Sequence, residues 1–329
     1  MSQRELIIST APFVRDEVTT PRIMFEVLAA AFLVLLMSCW HFGASALLVV
    51  GAATLGAVST EWWFTRHRQP SPLGDGSAVL TGVLLGLTLP PSFPLWMACL
   101  GGVAGIGLGK LIWGGLGQNL FNPALVGRAF LQAAFPTSIT SWTDPGQGFG
   151  FLPQSLFTMP MMHPNVDAVS GATPLGLAKF EHQFASLSDL AIGSTGGSLG
   201  ETSAVLLVVI GIWLAARRIF DWRLVVSTLV SVAVFSGALH LAKPEIWPSP
   251  LFMLCSGGLL FGAIFMVTDP VSTPTTTKGA WIFGIGVGFL VVLIRVFGGL
   301  PEGVMYAILL MNAVTPHINR YTQPKPFGA

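Results

Sequence analysis

Apolar residues in this chain gather into long runs, and polar residues fall between them. Runs at residues 24–42, 44–64, 77–89, 95–113 and 120–135 precede one long polar segment, 136–203, and runs at 204–219, 224–241, 251–267, 281–297 and 304–314 follow it. A helix needs about 20 apolar residues to cross a bilayer, and several runs come near that length. The expected fold is therefore all-α and polytopic, with about ten transmembrane helices. Only residues 41–43 separate the first two runs, which read as a transmembrane hairpin. The first run starts more than twenty residues into the chain, so it is not expected to be a cleaved signal peptide. The runs at 77–89 and 95–113 are short and broken by Pro90, Pro91, Pro94 and many glycines, which predicts discontinuous or tightly packed helices.

Charge between the runs sets the orientation. Arg4, Arg15 and Arg22 precede the first run, Arg66, His67 and Arg68 follow the second, and Arg217, Arg218 and Arg223 lie between the sixth and seventh. His317, Arg320 and Lys325 close the chain, and Lys243 is the one basic residue that departs from the alternation. Positive residues mark cytoplasmic ends, so both termini are expected inside and the 136–203 segment, after five crossings, outside. The domain plan is a cytoplasmic N-terminal segment (1–22), a first five-helix membrane repeat (23–135) and a periplasmic loop (136–203). A second five-helix repeat (204–315) and a cytoplasmic tail (316–329) follow.

An internal echo supports two repeats. An offset of 179 residues places Pro91 on Pro270 and Gly105-Ile-Gly-Leu-Gly109 on Gly284-Ile-Gly-Val-Gly288, with a looser echo of Asn122-Pro123-Ala124 in Asn312-Ala313-Val314. Copies five spans apart have opposite orientation, which is the inverted-topology pattern of transporters whose broken helices meet near the midplane.

Composition confirms the solvent. Of 329 residues, 52% are hydrophobic and 9% charged, against about 25% charged in soluble domains, and the mean hydropathy is +0.72. A net charge of +1, with no basic run interleaved with aromatics, excludes a nucleic-acid binder. Cys39, Cys99 and Cys255 lie in apolar runs without CxxC spacing, so neither a disulfide framework nor a metal site is indicated.

The candidate chemistry sits in few places. Asp167-Ala168-Val169-Ser170-Gly171-Ala172-Thr173-Pro174 lies in the outer segment, ahead of a helix-competent run at 175–184. Thr173 reads either as the N-cap of that helix or as a hydroxyl at an anion-attracting helix start. Asn119, Asn122 and Arg128 lie near one end of the fifth run, and Asp269 sits in Thr268-Asp269-Pro270-Val271-Ser272-Thr273-Pro274. Polar groups at membrane depth are costly, so these are site candidates, although the Asp269 stretch reads equally as a proline-fixed turn. Gly105 to Lys110 reads as small-residue helix packing and Gly193 to Gly200 as a flexible connector. Arg295 and Glu302, near the outer face, either snorkel or pair. His163 and His182 read as solvated loop residues, and no acid–base or nucleophilic constellation appears.

These motifs carry a resemblance. Asp167-x-x-Ser170-Gly171-Ala172-Thr173 on an outer loop, Asn119-x-x-Asn122-Pro123-Ala124 and the Asp-Pro stretch at 268–276 resemble the D subunits of Rnf-type ion-translocating oxidoreductases. They are also similar to the homologous B subunits of sodium-translocating NADH:quinone reductases. The resemblance spans nearly the whole chain, and the short segment before the first run favours the Rnf-type family. It implies that Thr173 carries FMN through a phosphoester, with Asp167, Ser170, Gly171 and Ala172 as the recognition sequence of a flavin transferase. A second, non-covalent flavin (riboflavin) is implied in the membrane part, for which Asn119, Asn122 and Asp269 are the candidate contacts. The implied partners are a second FMN-carrying subunit and iron–sulfur subunits of one complex in a bacterial inner membrane, with Na+ or H+ moved. The chain is then one component of a redox-driven translocase and not a complete enzyme. A urea- or ammonium-type channel is the reading of another class, and a pore has no use for the Thr173 motif.

Overall fold

A computed structural model of the protein describes residues 19–67, 72–146, 148–150, 152–160, 162, 173–201 and 203–324. Asp167, Ser170, Gly171 and Ala172 lie outside the described residues; Thr173 lies within them. Among the described residues there are helices and no strand. The first group is α1 (Thr20–Phe42), α2 (Ala44–Thr65), α3 (Ser77–Leu87), α4 (Leu95–Ile106) and α5 (Pro123–Ala134). The 136–203 segment contributes α6 (Pro136–Ile139), α7 (Pro174–Phe180) and α8 (Leu187–Ile192). The last group is α9 (Ala204–Ala216), α10 (Trp222–Ala242), α11 (Pro250–Cys255), α12 (Leu259–Phe265), α13 (Thr277–Phe297) and α14 (Val304–Thr322). Four of these, α1, α2, α10 and α13, are long and apolar enough to cross a membrane by themselves, and the chain is a multi-pass helical protein.

The hairpin expected at residues 41–43 turns on Gly43, whose φ of +70° suits a residue without a Cβ. A Cβ there would stand 2.7 Å from the Gly148 carbonyl oxygen, so the turn is pressed against the 136–203 segment, and Ala44 N–H donates to Phe149 O at 3.1 Å.

Small residues hold the helices together. On α4, a Cβ on Gly102 would lie 2.2 Å from Ala53 O of α2, and on α2 one on Gly56 would lie 2.1 Å from Cys99 O of α4. On α13, a Cβ on Gly288 would lie 2.6 Å from the Ser231 Cβ of α10. Lipid tails are as apolar as the helices, so association depends on this close approach. Gly105 and Gly109 serve the same end, each meeting the Pro123 backbone at 2.8 Å, as expected of the glycine motif. Just after α4 the chain makes a π-helical turn, Gly107–Leu111, that carries Lys110.

Several elements differ from the expectations. The run at 251–267 is two short helices, separated by a break at Ser256, Gly257 and Gly258, with Gly257 at φ +63°. The run at 304–314 continues to Thr322 through Pro316. Gly193 to Gly200, expected to be a flexible connector, ends as a buried wedge. Ser198, Leu199 and Gly200 are buried; Leu199 N–H donates to Leu89 O at 3.1 Å, and Leu199 O accepts from the Ser38 hydroxyl. The glycines read as flexible because they lack side chains, and the same property lets this backbone enter between helices. A Cβ on Gly200 would stand 3.1 Å from both Leu87 O and the Phe261 ring.

Candidate functional site

Thr173 takes the N-cap position of α7, with extended backbone (φ −69°, ψ 152°) and its Oγ1 accepting from Gly176 N–H at 3.1 Å. Pro174 at the first helical position costs nothing, since its missing N–H would have been unpaired. The helix is seated firmly. Leu175 and Ala178 pack with Leu190 and Phe252, and the Lys179 ammonium donates to Gly298 O and, at 3.0 Å, to Leu300 O.

Beside Thr173 opens a cavity of about 440 Å³, within the ~300–1,000 Å³ range of small-molecule sites. Trp142, Phe180 and Tyr306 line it with aromatic surface, and Arg128, Gln132 and Glu201 with polar groups. It is built from α5, α6 and the residues after it, α7, α8, the wedge, the end of α11 and the break after it, the loop before α14 and the start of α14. This enclosure suits a tethered planar ring. An ester on Thr173 Oγ1 replaces only the hydroxyl hydrogen and leaves the oxygen able to accept from Gly176.

Two carboxylates meet at the break between α11 and α12. Glu302 accepts from Gly258 N–H at 3.2 Å and Val304 N–H at 3.3 Å, and pairs with Arg295 at 3.3 Å. Arg295, expected either to snorkel or to pair, pairs: it is 4% exposed and also donates to Met253 O (2.7 Å) and Ser256 O (3.0 Å). It thereby answers carbonyls at the end of α11 that the broken helix leaves free. Glu201 approaches the same break from the wedge. Cβ atoms on Gly197 and Gly258 would lie 2.9 and 3.1 Å from its carboxylate oxygens, so both glycines make room for it. Burial, and then the Glu302 charge, push the Glu201 carboxyl up to about 7, against hydrogen bonds from Ser198 and the field of Arg128.

A second polar group is assembled from other elements. Lys110 Nζ donates to Glu61 and, at 2.6 Å, to Ser77 Oγ, with the two charged side chains 2% and 1% exposed. Ser77 N–H in turn donates to Asp75 at 2.8 Å. Glu61 Oε2 and Asn119 Oδ1 are buried without a hydrogen-bond partner among the described residues. Asn122 caps α5 through Ala124 N–H (3.0 Å), and Asp269 closes its turn with Val271 N–H (3.2 Å) and the Ser272 hydroxyl (2.8 Å). With its amide turned to match its neighbours, Asn312 of α14 donates to Ser272 O (3.3 Å) and accepts from Asn122 N–H (3.2 Å).

The structure therefore brings Asn119, Asn122 and Asp269 together, with Ser77, Lys110 and Thr268, around one small cavity. Its volume is about 70 Å³. The sequence reading missed Glu61, Lys110, Glu201 and the buried state of Arg295. The available signal was a charged residue inside or next to an apolar run.

The match to protein families extends over the same helices. Residues 7–328 match the model described as the NQR2, RnfD, RnfE family. The chain belongs to that family. Within the NQR2, RnfD, RnfE family it is 39% identical over 332 residues to the D subunit of the proton-translocating ferredoxin:NAD(+) oxidoreductase complex of Clostridium ljungdahlii, covering 98% of this chain and 96% of the relative. It is 37% identical over 333 residues to the D subunit of the Na(+)-translocating ferredoxin:NAD(+) oxidoreductase complex of Acetobacterium woodii, covering 100% and 97%. The D subunit of the ion-translocating oxidoreductase complex of Stutzerimonas stutzeri is 39% identical over 324 residues, covering 93% and 92%.

Proposed function

We propose that this chain is the D subunit of an ion-translocating ferredoxin:NAD+ oxidoreductase complex and carries FMN esterified to Thr173. The observation that carries the reading is the position of Thr173 Oγ1 on the wall of an aromatic-lined cavity of about 440 Å³, at the head of a pinned helix. Relatives from three organisms, covered over nine-tenths of their length, are named as D subunits and support the choice over the quinone-reductase B subunit.

The bound FMN supplies electron acceptance and donation one electron at a time; the protein supplies position and electrostatics. Thr173 tethers the group, α7 and Lys179 hold the tether still, and the aromatic walls offer it apolar contact. Electrons pass between this site and the second FMN-carrying subunit and iron–sulfur subunits, coupled to movement of Na+ or H+ across a bacterial inner membrane. We also read the chain as ten crossings in two inverted sets of five, with α1–α5 in the first and α9, α10, the α11–α12 pair, α13 and α14 in the second. The matching small-residue contacts of α2 with α4 and α10 with α13 support this.

The test is a denaturing gel of protein co-expressed with its flavin transferase. A yellow fluorescent band is expected in the wild type and not in Thr173→Ala, with both chains inserted in the membrane. A band that persists in Thr173→Ala moves the attachment elsewhere; no band in the wild type removes the reading.

A further inference from the structure

We propose that Glu201 is a proton-exchanging carboxyl whose protonation is linked to the charge held in the cavity beside Thr173. This rests on the flavin reading above and adds to it a residue that no sequence motif singles out.

The geometry separates Glu201 from its neighbours. Both Glu201 and Glu302 line the cavity. Glu302 is engaged by Arg295 and by the N–H groups of Gly258 and Val304. Glu201 has Ser198 for its hydrogen bonds and no ion pair among the described residues. Arg128 of α5, which faces it, is already committed to Thr88 O. The other titratable groups around the cavity are Tyr306 of α14, Glu181 at the end of α7 and the free Cys255 thiol at the end of α11, while Asp144 stands beside Gly196 of the wedge. Glu201 is thus the acid whose proton depends on what else enters the cavity.

An electron arriving in a low-dielectric cavity leaves an uncompensated negative charge, which is costly. Glu201 carboxylate then takes one proton from hydronium in the water at the cavity mouth, one O–H bond breaking as another forms and a water molecule remaining, so the net charge of the site is unchanged. Departure of the electron returns the proton to water. Because Glu201 titrates near neutral pH, its occupancy responds strongly to such a charge. Linkage is reciprocal: whatever shift in proton affinity the electron causes, protonation causes in the affinity for the electron.

The test uses the assembled complex with the wild-type chain, Glu201→Gln or Glu201→Asp, each first checked for the covalent fluorescent band. A missing band in the wild type is a failure of the flavin reading and not of this one. The flavin midpoint potential is then titrated between about pH 5.5 and 8.5. Wild type and Glu201→Gln should agree at the acid end, where Glu201 is neutral. Above about pH 7 the wild type should fall below Glu201→Gln, by about 59 mV for each tenfold shift in proton affinity in a one-electron step. Glu201→Asp should keep this divergence. A constant gap between wild type and Glu201→Gln at all pH values overturns the proposal, and so does a gap that follows Na+ concentration instead of pH.

A second readout needs no flavin. In the Thr173→Ala complex, Glu201 is raised from about 4.5 unfolded to about 7 folded. The folded form therefore binds the extra proton between those values, and stability falls as pH rises from about 4.5 to 7, with the loss complete above that. Melting temperature should decline more steeply over this window with Glu201 than with Gln. Superimposable profiles sink the proposal.

Discussion

At the residue scale, the outcome for each polar side chain depended on its partner. Lys110 sits in a glycine-rich stretch with no acid nearby in sequence, and its partner Glu61 is 49 positions away. A lone buried charge is strongly destabilising, whereas removing both charges of a buried pair is often nearly neutral. Lys110→Met should therefore cost about 3–5 kcal/mol by leaving Glu61 unpaired. The double substitution Glu61→Gln with Lys110→Met should recover most of that, measured as thermal stability in detergent. Additive losses would mean the two residues act independently. Thr173 shows the opposite case, since its N-cap role and its place in the Asp167–Pro174 motif were both legible from local sequence. The cavity that surrounds it was not, because Arg128, Glu201 and Tyr306 arrive from remote segments.

At the element scale, glycine was informative for packing and misleading for flexibility. Gly105 and Gly109 read as a packing motif, and they pack; Gly196, Gly197 and Gly200 belong to a stretch that read as a connector, and its end is wedged against α3 and α12. Both stretches end up against another backbone, Pro123 for Gly105 and Gly109 and Leu87 for Gly200, and the local sequence does not say which backbone stands opposite. Gly102 and Gly51 give a direct comparison. A Cβ at Gly102 would meet Ala53 O at 2.2 Å, while one at Gly51 meets nothing within 4 Å. Gly102→Ala should lower stability by about 1–3 kcal/mol through forced separation of α2 and α4. Gly51→Ala, in the interior of a helix, should be neutral or slightly stabilising. Equal effects on melting temperature would contradict the close-approach account. The break at Ser256 to Gly258 escaped the hydrophobic pattern because apolar residues flank it on both sides. Arg295 and Glu302 hold it from α13 and the loop after it, beyond the reach of any local signal.

At the scale of the whole molecule, the orientation predicted from Arg and Lys is testable as a single pattern. Alkaline-phosphatase fusions in the 136–203 segment should be active, and fusions in the loop at Arg217 and Arg218 inactive. The reverse pattern would place the Thr173 cavity on the cytoplasmic side. It would then separate the flavin reading, which needs a transferase on that side, from the charge argument.

The apolar runs by themselves determined that the chain is helical and lies in lipid, because a backbone without water must satisfy its hydrogen bonds within each segment. The threonine motif and its helix cap were also determined locally, since capping involves residues three positions apart. Tertiary structure alone decided the rest: which charges are paired, which glycines are crowded, and which carboxylate faces the cavity. In a low-dielectric interior the fate of a polar group depends on the group opposite. In this protein that group comes from another helix, as with Glu61 for Lys110 and Arg295 for the carbonyls of Met253 and Ser256.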